Sequence, residues 1–194
     1  MAIAAVRAAA VDDVDDIVRI QADTWRAAYA ELVPPAAIDQ LAADPARQAW
    51  ASAVVAGDGY HVLVATEGEW TVGFCAAAVA AAAPVAAGPT GTRELGPEAW
   101  AEVGVLLVEP RWGRRGHGGR LLAAAADALR AGGALYGLAW IPEADEPSRR
   151  FYARAGWEPD GAVRVLDTGD GELREVRVTG SLDLRLRESS PEAE

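Results

Sequence analysis

The sequence predicts a mixed α/β domain in which a largely antiparallel sheet is covered by helices. Three observations predict it. Short apolar runs of strand length alternate with longer amphipathic segments, in the order strand, helices, strands, then strand–helix–strand–helix–strands. Two pairs of runs flank short turns, Glu67-Gly68-Glu69 and Thr168-Gly169-Asp170-Gly171, which is the pattern of hairpins. The chain has 194 residues, 51% of them hydrophobic and 24% charged, a size that forms one core burying roughly 70% of the unfolded surface. One domain over residues 1–187 is therefore expected, followed by a disordered acidic tail at 188–194, ESSPEAE.

Each element has its own signal. Residues 4–9 read as a first short strand. Asp12, Asp13, Asp15 and Asp16 then open a helix, where carboxylates suit the positive end of the dipole. Val14, Ile17, Ile20 and Ala22 lie near one face of that helix, and Trp25 and Tyr29 follow at i, i+4. Pro34 and Pro35 end the unit, and helical stretches are expected at 36–41 and 46–55. After the turn Gly57-Asp58-Gly59, residues 61–65 and 70–79 read as an antiparallel hairpin. Residues 80–99 are rich in Ala, Gly and Pro and read as a long loop. Residues 102–108 are nearly continuously apolar, which marks a central strand. A helix over 118–131 is stopped by Gly132-Gly133. Residues 135–141 are a buried strand with Trp140 expected in the core, and 147–155 a short helix stopped by Gly156. Residues 163–167 and 173–186 close the chain as a hairpin.

Charge and composition exclude several functions. Eighteen basic residues, all Arg, stand against 29 acids, for a net charge of -11. Such a surface repels phosphate backbones and draws in cations such as amines, so nucleic acid is not the expected partner. A single cysteine, Cys75, allows no internal disulfide or Cys-based zinc site, and two histidines allow no His-rich metal centre. Cys75 itself reads as a small buried hydrophobe. The first residues lack a basic n-region. The longest apolar run, 72–88, is mostly Ala and interrupted by Pro84, short of the ~20 apolar residues that span a bilayer. No membrane association and a cytoplasmic location are expected.

The most informative stretch runs from Glu109 to Arg120, EPRWGRRGHGGR, between the central strand and the following helix. Its glycines let backbone N–H groups approach a ligand, and the helix start adds partial positive charge. Arg111, Arg114, Arg115 and Arg120 reverse the local charge of an acidic chain. Together these suit a phosphate or pyrophosphate. A Walker loop is ruled out because the chain has no Lys. A GxGxxG fingerprint fails at its third glycine, since Leu121 stands there.

The run Leu106-Leu107-Val108-Glu109-Pro110 followed by Arg115-Gly116-His117-Gly118-Gly119-Arg120-Leu121-Leu122 resembles motif A of the GNAT N-acetyltransferase superfamily, an R/Q-x-x-G-x-G/A loop. Ser148-Arg149-Arg150-Phe151-Tyr152-Ala153-Arg154-Ala155-Gly156-Trp157 resembles that family's motif B, and Asp23-Thr24-Trp25-Arg26-Ala27-Ala28-Tyr29 is similar to the first helix of many members. The likeness extends over nearly the whole chain. It implies a GNAT-like fold, with a mixed, mostly antiparallel central sheet flanked by helices. It also implies an enzyme that transfers acetyl from acetyl-CoA, as co-substrate, to an amine by direct attack.

On this resemblance acetyl-CoA would be bound by Leu106, Leu107, Val108, Arg114, Arg115, Gly116, His117, Gly118, Gly119, Arg120, Asp145, Ser148 and Phe151. Tyr152 would be the acid that protonates the departing thiolate, with packing on the co-substrate as its alternative role. Glu102 would take the ammonium proton through water, with Asp145 as fallback, and the amide of Val108 or a neighbour would stabilise the oxyanion. Two positions depart from the pattern. Gly113 occupies the R/Q position, so Arg114 or Arg115 would supply the side-chain contact, and Asp145 stands where many members carry Asn. His117 is expected to be exposed, meeting phosphate only through its N–H. Trp25 and Tyr29 either line an acceptor pocket with the 80–99 loop or belong to the core. The alternative from another class is a non-catalytic acyl-CoA-binding or regulatory protein of the same fold. Similar proteins are commonly homodimers, and no segment here declares an interface.

Overall fold

The computed structural model describes residues 4–57, 59–81, 95–169 and 171–184. The acidic tail at 188–194 and most of the 80–99 segment lie outside them. The remainder forms a seven-stranded sheet: β1 (Ala4–Ala8), β2 (Tyr60–Glu67), β3 (Trp70–Val79), β4 (Trp100–Val108), β5 (Tyr136–Pro142), β6 (Glu158–Asp167) and β7 (Glu172–Ser181). Their order is β1-β2-β3-β4-β5-β7-β6, and every pairing is antiparallel except β4 with β5. That exception follows from the helical crossover between the two strands.

Helices cover both faces. On one lie α1 (Val14–Tyr29), α2 (Pro35–Gln40) and α3 (Asp44–Val54); on the other lie α4 (His117–Ala131) and α5 (Glu146–Arg154). Strand alternation sorts the residues between them. Ile17 and Ile20 pack on Val62, Val64, Phe74 and Ala76, whereas Leu121, Leu122, Ala125 and Leu129 pack on Leu63, Cys75 and Val103. The second face continues to Trp157, fully buried just past α5, whose Nε1 donates to Ser181 O at 3.1 Å. Its indole lies against Gly137 and Gly180, where a Cβ would come within 2.3 Å and 2.2 Å of ring atoms. Those two strands need glycine there because the ring occupies the space of a side chain.

Most expected elements are present, with shifted ends. The largest shift is in the last hairpin, where β6 starts at Glu158 rather than 163 and β7 ends at Ser181 rather than 186. Between Pro159 and Val163 the β6 register slips, around Gly161 at φ 88°. A bulge built from Pro, Asp and Gly reads as a turn in sequence although pairing resumes beyond it. Among the described residues no helix is long and apolar enough to cross a membrane.

Candidate active site

The site begins where the sheet comes apart. β4 and β5 pair only from Trp100↔Tyr136 to Glu102↔Leu138, yet β4 continues to Val108 and β5 to Pro142. The cause lies on the other edge of β4. Val103 faces Ala77 and Val105 faces Ala76, so Gly104 is an extra residue that bends β4 away from β5. The cleft so formed is floored by Val103 to Leu107 on one side and by Trp140, Ile141 and Pro142 on the other. Trp25, Tyr29, Ser148, Tyr152 and Glu175 complete its lining. Beyond Gly104, the edge of β4 that faces β5 has no strand partner among the described residues.

At the end of β4 the chain turns into α4 through the glycine loop. Gly116 caps the helix at φ 81°, and the first helical hydrogen bond runs from Arg120 N to Gly116 O at 3.1 Å. The amides of His117, Gly118 and Gly119 are thereby left without intrahelical acceptors, at the positive end of a 15-residue helix. Two of the four loop arginines are already compensated: Arg111 by Glu109 at 2.7 Å and Arg115 by Glu67 at 3.1 Å. Arg114 and Arg120 have no ion-pair partner among the described residues. Arg114 also sits at φ 62°, the one described non-glycine residue in the left-handed region, while Gly113 beside it is extended at φ -60°.

α5 stands over this loop. A Cβ on Gly118 would come within 3.3 Å of the Phe151 ring and 3.7 Å of Leu106, so Phe151 bridges the loop and β4. Tyr152, the next residue, is buried, stacks on Trp157 at 5.3 Å and lines the cleft. Burial, with smaller effects from Cys75 and Tyr29, holds this phenol protonated well above the ordinary tyrosine range. At the start of α5, Asp145 caps the helix by accepting from Ser148 N at 3.0 Å and Ser148 Oγ at 2.7 Å. It also accepts the hydroxyl of Tyr29 from α1.

The structure thus brings the expected residues to one cleft unevenly. Leu106, Leu107, Ser148 and Tyr152 line it; Val108 and Phe151 instead pack against the core behind it. Arg114 to Arg120 form the loop at its end. Glu102 is in the last paired position before the strands part, half-buried and not part of the lining. Trp25 and Tyr29 do both things left open by the sequence, joining a small core with Val33, Ile38 and Leu173 while lining the cleft. Two expectations are corrected. His117 is 1% exposed rather than exposed, because its ring turns under the loop and its Nε2 meets Glu67 Oε2 at 2.9 Å. Trp140 is only half-buried: it packs beside the small core of Trp100 and Leu138 but also lines the cleft, with the guanidiniums of Arg164 and Arg177 over its ring at 4.6 Å and 5.4 Å.

The one charged residue in the lining was missed altogether. Glu175 on β7 is 7% exposed, and its Oε2 accepts from Arg164 Nε at 2.5 Å. A charged residue in an alternating strand reads as solvent-facing, and only the register that puts it opposite Pro142 brings it into the cleft. No group of three or more potential metal ligands occurs among the described residues.

The sequence pattern of the acetyltransferase (GNAT) family matches residues 15–157. No curated protein matches the chain significantly in sequence. Several hundred solved chains share its fold. PaiA N-acetyltransferase from Thermoplasma acidophilum, solved with coenzyme A, aligns at a TM-score of 0.71 with 15% identity, over 92% of this chain and 99% of that one. YncA of Salmonella typhimurium, solved with its cofactor acetyl-CoA, aligns at 0.59 with 21% identity, over 98% of each. The ribosomal-protein-S18-alanine N-acetyltransferase of Escherichia coli aligns at 0.62 with 14% identity, over 99% of each. At these identities the likeness is one of fold.

Proposed function

The chain belongs to the acetyltransferase (GNAT) family, and on that premise we propose that it transfers the acetyl group of acetyl-CoA to a small cationic amine. The observation that carries the reading is the juxtaposition of the parted strands with the glycine loop. An extended, amide-bearing arm ending in a pyrophosphate needs an unpaired strand edge leading to a cluster of free amides. The edge of β4 beyond Gly104 and the start of α4 provide those in sequence. Solved proteins of this fold hold CoA or acetyl-CoA, which supports the same assignment. The thioester supplies an acetyl group activated toward nucleophiles.

The amides of His117, Gly118 and Gly119 would hold the pyrophosphate, with Arg114 and Arg120 adding the uncompensated charge. The bound ammonium must lose a proton before its nitrogen can attack, and Glu102 takes that proton through water. A backbone amide on the free edge of β4, Val108 or a neighbour, donates to the developing oxyanion. Tyr152 then donates its phenolic proton to the departing thiolate, and its burial keeps that proton available at any working pH. A cytoplasmic location belongs to the same proposal.

The test is thiol release from acetyl-CoA in the presence of a panel of primary amines. Amine-dependent release is expected. Binding of acetyl-CoA without release by any amine would instead identify a non-catalytic binding protein.

A further inference from the structure

We propose that Glu175 receives the ammonium of the acceptor, and that this contact selects alkylamines that are cations at neutral pH. The inference rests on the transferase reading above and adds the residue that chooses the second substrate.

Three observations converge on Glu175. Its carboxylate is more than nine-tenths buried yet lines the cleft that Tyr29, Tyr152 and Ser148 also line. Only one of its oxygens is used: Arg164 Nε donates to Oε2, while Oε1 has no hydrogen-bond partner among the described residues. A buried carboxylate oxygen left open to a cleft presents an acceptor without a donor, the kind of group that is costly unless a ligand satisfies it. Third, the ring beside it already attracts cations. Arg164 and Arg177 both lie over Trp140, and Arg177 is closed off by the buried Asp160 at 2.8 Å. That pair cancels, which leaves Glu175 in the lining, and Asp145 directly behind Tyr29 and Ser148, against Arg164. An alkylammonium supplies the missing N–H donor and the missing positive charge together, and the Trp25, Tyr29 and Trp140 rings accept its carbon body. A neutral arylamine offers only a weaker, uncharged N–H donor and no positive charge.

The test uses the full chain, acetyl-CoA, and 2-phenylethylamine, spermidine and 4-methylaniline as acceptors. Turnover is expected with the two alkylamines and not with the arylamine. E175Q should raise the alkylamine KM by about tenfold or more, as expected for losing a hydrogen bond to a charged group, with the acetyl-CoA Kd from calorimetry unchanged. R164Q, on the exposed edge strand, should lower the same KM, because it frees the second oxygen and removes the competing cation. The proposal is overturned if E175Q leaves the alkylamine KM within about twofold, if R164Q raises it, or if the arylamine is the better acceptor. It is also overturned if a chain that binds acetyl-CoA acetylates neither alkylamine. A chain that does not bind acetyl-CoA at all fails at the earlier reading, and calorimetry separates the two cases. Should E175Q not fold, the sign of the R164Q effect still decides.

Discussion

The phenol of Tyr29, in the last turn of α1, donates to the carboxylate of Asp145, which itself caps α5. These residues are 116 positions apart. Their bond ties α1, on one face of the sheet, to α5, the helix on the other face that carries Tyr152. Burial comes first and acceptance by Asp145 second in holding the Tyr29 phenol protonated above its ordinary range. Asp145 gathers three donors, from Tyr29 and twice from Ser148, so its carboxylate is engaged by the protein itself.

Removing the Tyr29 hydroxyl should therefore weaken the fold measurably. Y29F is expected to cost about 1.5–2 kcal/mol in urea unfolding, the contribution of a part-buried hydrogen bond to a charged acceptor. The pH dependence has a definite sign. Tyr29 and Tyr152 both have folded pKa values raised above their ordinary value of 10.0. Their contribution is present below that value and is lost as pH rises above it, because only the unfolded chain releases the protons there. Y29F should show a shallower loss of stability above about pH 10 than the parent.

Tyr152 is tested by Y152F. Turnover should fall by roughly 10²-fold or more, the usual contribution of a positioned acid, while affinity for acetyl-CoA stays the same. Because burial holds the phenol protonated, the parent enzyme should show no fall in kcat attributable to this residue below about pH 10. A Y152F chain with undiminished kcat would reduce the residue to a packing role.

The glycine loop contains a local conflict that a single substitution relieves. The family pattern has Arg or Gln at the position of Gly113, and here the glycine comes one residue before the backbone needs it. Gly113 is extended at φ -60°, and Arg114 takes the left-handed turn at φ 62°. A non-glycine residue there costs about 1–2 kcal/mol, partly offset by the greater freedom of glycine in the unfolded chain. R114G should accordingly raise stability by up to about 1 kcal/mol, or roughly 2–4 °C in Tm.

Cys75 should be chemically silent. It is fully buried in β3, and burial pushes its thiol up to about 12. The thiolate is the reactive form, so a disulfide reagent should label no cysteine in the native protein and one in urea. This also leaves thiol-release assays free of a background from the protein.

The fold was legible in this sequence wherever a residue type answers a local demand. Gly116 and Gly156 mark their turns through backbone conformations that favour glycine, at φ 81° and 83°. The aspartates before α1, the prolines after it and the apolar runs of β3 and β4 placed those elements. The features that make a site out of the fold depend instead on register. Residues 102–108 look continuous, and nothing in them announces that Gly104 is a bulge or that β5 parts from β4 beyond Glu102. Trp140 alternates like a core residue because a strand facing a cleft has the same pattern as one facing a helix. Glu175 and the Tyr29–Asp145 bond are set by which strands and helices meet, across 33 and 116 positions from Pro142 and Tyr29 respectively. His117 was expected outside because its partner, Glu67, belongs to a hairpin 50 residues earlier.

The central claim is that the parted strands and the glycine loop form a seat for acetyl-CoA. The most direct measurement is thermal unfolding of the full chain with and without acetyl-CoA, using a nicotinamide dinucleotide as the control. At a ligand concentration about 100 times Kd the native state gains about 2.7 kcal/mol, so Tm should rise by roughly 5–10 °C with acetyl-CoA and not with the control. An unchanged Tm at millimolar acetyl-CoA would contradict the account, leaving the loop as a plain strand-to-helix turn.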